Sequence, residues 1–290
     1  MNPANYLLID GFLRQDAITQ LYQRGEPLAI KPLYLGTRWA AIKELGPVVV
    51  QAQSPYRLIN EWRTSPDQHK DASAFYSRAS AQVVADHLRR FLSPADHLGQ
   101  CALLRFADPV MLHYWLSSYA PDHLAQILGP VEHLWVPTPI HSWHAPAQTP
   151  FTSFVRQGPV HAWEASFSLL GEPQLDALEQ AYQWVFRERI YAWLNKRNAN
   201  TFANKNGAQV DSWLAHALDS GRALGLVTEF GLATWAELCQ LWGLDFTEQP
   251  DGPYRRWTVE HPEQARLAPE PRIEALDIFR FKVAKEATHD

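Results

Sequence analysis

Between residues 6 and 136, short apolar runs alternate with stretches whose apolar residues recur at helical spacing. That alternation restricts the N-terminal half to a layer of strands covered by helices. Tyr6-Leu7-Leu8-Ile9 is closed by Asp10-Gly11, and Ala17, Ile18, Leu21 and Tyr22 follow on one helical face. Pro32-Leu33-Tyr34-Leu35 ends at Gly36, and Thr37 caps an expected helix running to Gly46-Pro47. Val48-Val49-Val50 and Ala74-Phe75-Tyr76 read as strands, with a helix from Ser54-Pro55 to Trp62 between them. Ser80 caps a helix through Phe91, and Val131–Val136 is strand-like. Such a pattern predicts an α/β (α+β) lobe with a mainly parallel or mixed sheet.

The phrase Leu103-Leu104-Arg105-Phe106-Ala107-Asp108-Pro109 predicts a strand, a turn and a helix start in seven residues. Asp at an N-cap accepts backbone N–H bonds, and Pro at the first helical position gives up a donor that has no partner there. Met111, Leu112, Trp115 and Leu116 continue the helix, and Pro121 is expected to stop it.

Prolines at 137, 139, 146, 150 and 159 mark a change of texture, with strand-like pieces at 151–155 and 161–169. Helical periodicity then dominates. Leu175 to Trp193, Val210 to Leu218, Phe230 to Leu241 and Ile273 to Val283 predict a small all-α lobe, with a proline-rich stretch over 249–271. The expected division is 1–136, a connection over 137–172, and a helical lobe over 173–290.

Charge narrows the partners. The net charge is −5, with 12 basic and 12 acidic side chains in residues 1–140 and 14 against 19 in the remainder. Neither half has the basic stripe that displaces counterions from a phosphate backbone, so nucleic acid is not expected. Cys101 and Cys239 lie far apart and form neither a disulfide framework nor a CxxC metal pair. No run of about 18 apolar residues occurs, and Met1-Asn2-Pro3-Ala4-Asn5 lacks a basic leader. A cytoplasmic protein without membrane insertion is expected.

No GxGxxG, GxxxxGK[ST] or GxSxG motif occurs, so nucleotide loops and a nucleophile elbow lack support. Two constellations remain. The cluster His133, His141, His144 and His161, with Glu132 or Glu164, offers metal-donor types in a spacing that matches no zinc signature, and a metal-dependent hydrolase would use His141, His144 and His161. Asp10, Arg105 and Asp108, two of them at predicted strand ends, suit acid–base chemistry or a salt bridge that pins the strand while Asp108 caps its helix. The salt bridge is the favoured reading, since no nucleophile accompanies the trio. The chain also holds 12 Trp, 10 Tyr and 13 Phe, enough rings to fill a core and still furnish a protein-binding surface. Trp143, Trp163 and Trp257 lie in poorly periodic stretches and are the aromatics expected to reach the surface.

Six phrases in order resemble one family. They are Tyr6-Leu-Leu-Ile-Asp10-Gly11, Pro32-Leu-Tyr-Leu-Gly36-Thr37, Leu45-Gly46-Pro47-Val-Val, His87-Leu-Arg-Arg-Phe-Leu92, Leu104-Arg105-Phe106-Ala-Asp108-Pro109 and Gly129-Pro130. The family is the effector adaptors, or Tap/Tec chaperones, of the bacterial type VI secretion system. The resemblance covers about residues 6–136 and implies a non-catalytic protein without a cofactor. Such a protein binds a cognate toxin effector and helps to load it onto the VgrG spike. It also implies that Asp10, Gly36, Arg105, Asp108 and Pro109 define the fold rather than a catalytic centre. Ala107 stands where relatives often carry an aromatic residue.

Overall fold

The computed structural model describes residues 4–144 and 146–286. The chain divides into two compact units, Met1–Ile140 with Pro146–Gln183, and His141–Ala145 with Trp184–Asp290.

The first unit is built on six strands: β1 (Tyr6–Asp10), β2 (Leu28–Pro32), β3 (Pro47–Ala52), β4 (Ala72–Tyr76), β5 (His133–Pro137) and β6 (Phe151–Val155). Their order is β2-β3-β1-β4-β5-β6, and every neighbouring pair is antiparallel. The expected parallel or mixed sheet is therefore wrong, and the reason is insertion. Because β3 is antiparallel to both, β1 and β2 run the same way, as a strand–helix–strand unit requires, with β3 lying between them. Likewise β3 and β4 run the same way on either side of β1. Two crossovers, through α1 (Ala17–Gln23) and α2 (Arg57–Thr64), thus interlock in the split β-α-β-β-α-β arrangement. Strand order depends on distant partners, and local periodicity does not encode it.

β1 is central and buried along its whole length, which explains its unbroken apolar run. Leu7 and Ile9 face α1 and α2, packing with Val48, Val50, Ala74, Ile18, Leu58 and Trp62. Leu8 faces the opposite layer with Phe75, Leu134, Phe91 and Phe106. That layer holds α3 (Ala81–Leu88), α4 (Pro109–Ser117) and α5 (Pro121–Leu128). Each such aliphatic side chain contributes about 1.5–3 kcal/mol by leaving water.

The caps at Ser80 and Asp108 are where the sequence places them. Ser80 accepts the Val83 N–H, and Asp108 Oδ1 accepts the Val110 N–H at 2.9 Å with Pro109 at the first helical position. Several extended segments are not. Leu103–Phe106 forms no strand: Leu104 and Phe106 are buried, and the Leu104 N–H bonds to the Leu92 carbonyl. Core burial alone accounts for its apolar character. Strand β2 ends at Pro32, and Leu33 and Tyr34 are buried in a turn. Thr37 is followed by a 3-10 segment, Ala40–Leu45, kinked at Ile42. Residues 161–169 contain a 3-10 turn, Ala165–Ser168, and no strand. Pro121 begins α5 instead of merely ending α4.

On α3, the His87 imidazole is 6% exposed and its Nε2 lies 2.8 Å from the Ile127 carbonyl. Burial drives this imidazole down to about 4; the Ile127 bond opposes the shift and the Arg90 charge adds to it. Gly129 packs directly on the ring: a Cβ there would fall 2.3 Å from His87 Cε1.

Helices make up the second unit, in agreement with the expected all-α region. The long helix α6 (Glu172–Arg197) passes from the first unit into the second at 183/184. It is followed by α7 (Gly207–Ala223), α8 (Glu229–Trp242), α9 (Pro253–Glu260), α10 (Pro262–Ala265) and α11 (Pro269–Glu286). Asn206 and Gln209 form a capping box on α7, and Thr228 caps α8. Prolines at 253, 262 and 269 open α9, α10 and α11, so residues 249–271 are more helical than their prolines suggest. No helix among the described residues is long and apolar enough to cross a membrane.

Candidate functional site

Asp10, Arg105 and Asp108 converge at the C-terminal end of β1. The Asp10 carboxylate is 3% exposed; Oδ1 accepts the N–H groups of Phe12 and Leu13 at 2.9 and 3.0 Å. Its Oδ2 accepts Arg105 Nη2 at 3.1 Å, and the same guanidinium lies 3.6 Å from Asp108 Oδ2. Arg105 also covers the Phe12 ring at 4.4 Å. Burial pushes the Asp108 carboxyl up, helped by the Asp10 charge and opposed by Arg105. Tyr34, against the same site, is likewise raised by burial first and by Asp10 second. Asp10 is saturated by three donors and Asp108 is committed to its cap. The arrangement is thus a pin that fixes the turn after β1 to the start of α4. Gly36, with φ +81°, turns the exposed chain beside it.

This pin supports a surface that periodicity does not reveal. The backbone of Gly11 packs so closely on residues 44–46 that a Cβ would fall 2.5 Å from the Gly46 carbonyl oxygen. Gly46 in turn lies against the Tyr34 ring, and Tyr34 contacts Trp39 at 5.7 Å. Around this joint, Phe12 (55% exposed), Leu13, Leu35 (52%), Ile42 and Leu45 point into solvent. Arg38 lies over Trp39 at 4.3 Å, giving the patch a cationic rim with Arg105. Apolar residues exposed together in this way mark a contact surface.

The histidines do not assemble into a centre. His141 is stacked between Trp143 and Trp184, at 4.1 and 4.8 Å, and its Nδ1 meets Glu188 at 2.7 Å. Glu188 stays below its ordinary value: burial would raise it, but bonds from His141 and Ser142 outweigh that. His144 pairs with Asp211 at 2.8 Å, whereas His161 is an exposed residue of the first unit. Among the described residues no group of three or more His, Cys, Asp or Glu side chains is placed to hold a metal.

The three expected surface tryptophans have different settings. Trp143 is half-buried on the helical core, with its N–H on Asp211 at 2.8 Å. Trp163 is half-buried against His87 and Phe91, under the Arg90 guanidinium at 4.6 Å. Trp257 is 0% exposed, so the expectation of exposure fails there. It sits on α9 inside the helical core, in a stretch whose prolines disguise the helix.

Residues 5–126 match the family described as a domain of unknown function, DUF4123. The match contains β1 to β4 and the whole Asp10–Arg105–Asp108 pin, and it ends within α5, before β5 and β6. "Accessory protein VasW" of Vibrio cholerae serotype O1 (strain ATCC 39315 / El Tor Inaba N16961) is 23% identical over 194 residues. That alignment covers 65% of this chain and 63% of VasW, less than two thirds of the relative's length. No solved structure matches. The resemblance to the type VI secretion effector adaptors therefore holds over residues 5–126, which match the DUF4123 family.

Proposed function

We propose that the chain is a non-catalytic, cytoplasmic adaptor of type VI secretion that binds a toxin effector and helps to load it onto the VgrG spike. The observation that carries this reading is the exposed apolar patch of Phe12, Leu13, Leu35, Ile42 and Leu45, held in place by the buried pin within the DUF4123 region. A rigid base under exposed rings and aliphatic side chains is what a protein-binding hot spot requires, since a few buried anchors dominate affinity. The name of the VasW relative, an accessory protein, is in keeping with a role beside the secretion machinery.

The test is co-expression of the tagged chain with candidate toxin and spike proteins of a type VI secretion system, followed by co-purification and a secretion assay. Wild type is expected to retain the toxin. A Phe12→Asp, Leu45→Asp double variant is expected to lose at least tenfold in affinity with an unchanged melting temperature. Full toxin secretion without the chain, and no co-purification with it, would overturn the proposal.

A further inference from the structure

The two rims of the six-stranded sheet are finished differently. At one rim, β2 carries Lys31 and Pro32, and the Arg89 guanidinium donates to the carbonyls of Leu33 and Pro32 at 3.1 and 3.4 Å. A charge, a proline and a covering side chain are the usual protections of a free edge. The other rim, β6, reads Phe151-Thr152-Ser153-Phe154-Val155 and has neither charge nor proline.

Register shows which main-chain groups of β6 are open. The Thr138 N–H donates to the Pro150 carbonyl at 2.9 Å, and the Arg156 N–H to Glu132 at 3.0 Å. With Val136 opposite Thr152 and Leu134 opposite Phe154, alternation directs the groups of Thr152 and Phe154 towards β5. The N–H and C=O groups of Phe151, Ser153 and Val155 therefore point away from the sheet. All three residues are exposed. Beside them runs a groove lined by Tyr119, Pro121 and Leu124 at the α4–α5 corner, with Ser153, Val155 and Gln157 on its other side.

We propose that the β6 edge receives an extended, uncharged segment of the effector as a seventh strand, with one apolar side chain seated in this groove. The proposal rests on the adaptor reading above and assigns it a second contact, outside the matched domain. Main-chain bonds to Phe151, Ser153 and Val155 supply affinity, and the groove supplies selectivity. An uncharged segment fits because the strand offers no side chain to pair with a buried charge. A single extended chain is favoured over a second copy. Edge-to-edge pairing about Ser153 would bring a second Tyr119–Leu124 wall to the same face of the joined sheet.

The experiment compares the full chain alone and in complex with its co-purified effector by residue-resolved hydrogen exchange. The amides of Phe151, Ser153 and Val155 are expected to exchange freely in the first case and at least 100-fold more slowly in the second. Ser153→Pro removes an outward N–H that β5 does not use, and is expected to weaken effector binding at least tenfold. Val155→Lys charges the same edge without touching the backbone and should do the same. Unchanged exchange at the three amides, or binding within twofold of wild type for both variants, would overturn the strand addition and leave the adaptor reading intact. Protection of these amides in the chain alone, rising with its concentration, would replace the effector by a second copy and overturn the proposal. Failure of the wild-type chain to bind any effector would overturn both readings.

Discussion

His87 should set the acid limit of the first unit. Its imidazole is nearly sealed from water, with Nε2 against the Ile127 carbonyl, and its folded pKa is about 4 against an ordinary 6.5. Protonation is easier in the unfolded chain, so the unfolded state binds the proton first as pH falls. The stability is fully present above pH 6.5 and is lost as pH drops through 4. At about 1.4 kcal/mol per unit, a depression of this size amounts to roughly 3 kcal/mol, of which about 2.5 disappears between pH 7 and pH 4.5. His87→Gln keeps a donor for Ile127 but cannot titrate. Urea denaturation of both proteins at the two pH values, with exchange protection of β1 amides reporting the first unit, isolates the effect. His69, His113 and His133 are also lowered, mainly by burial, but they are common to both proteins and cancel in the comparison. Wild type should lose about 2 kcal/mol more than the variant over this range. Equal losses, within about 0.5 kcal/mol, would refute the claim that the buried imidazole must stay neutral.

Asp10→Ala strands two N–H groups and the Arg105 charge together, and should cost about 3 kcal/mol in urea denaturation. Asp10→Asn retains an acceptor and should recover about half of that loss. Arg105→Ala leaves Asp10 and Asp108 facing each other without their shared cation. Because the Asp108 carboxyl is already raised, the deficit of this variant should be larger at pH 7 than at pH 4, as a pH series of denaturation midpoints would show. Gly46→Ala puts a methyl 2.5 Å from the Tyr34 ring at a φ of −82°. The cost is steric, about 1–3 kcal/mol, with a change in Tyr34 and Trp39 emission as the accompanying signal.

What the sequence revealed was local. The caps at Ser80 and Asp108 follow from side-chain chemistry over three or four residues, and they form as expected. Strands β1, β3 and β4 were legible because β-branched or aromatic runs ended at turn residues. Leu103–Phe106 misled because burial of Leu104 and Phe106 gives coil the same apolar signature as a strand. Prolines 121, 253 and 262 misled because a helix tolerates proline in its first turn, where it reads like a breaker. At the site, the Asp10–Arg105–Asp108 trio was visible from its place in the strand–turn–helix phrase. The patch was not, because Phe12, Ile42 and Leu45 look like core residues until the Gly11–Gly46 joint turns them outward.

The assignment of His141–Ala145 to the helical unit has an evolutionary consequence. The chain passes between units after residues 140, 145 and 183, so one recombination breakpoint cannot transfer the helical unit whole. A graft beginning at residue 184 would leave behind His141, which is stacked on Trp184, and Trp143 and His144, which are bonded to Asp211. Substitutions along helices α6 and α7 must therefore remain compatible with a five-residue insert encoded between β5 and β6. The two units are constrained to diversify together, and a hybrid that ignores the insert should inherit an unfilled seat beside Glu188 and Asp211.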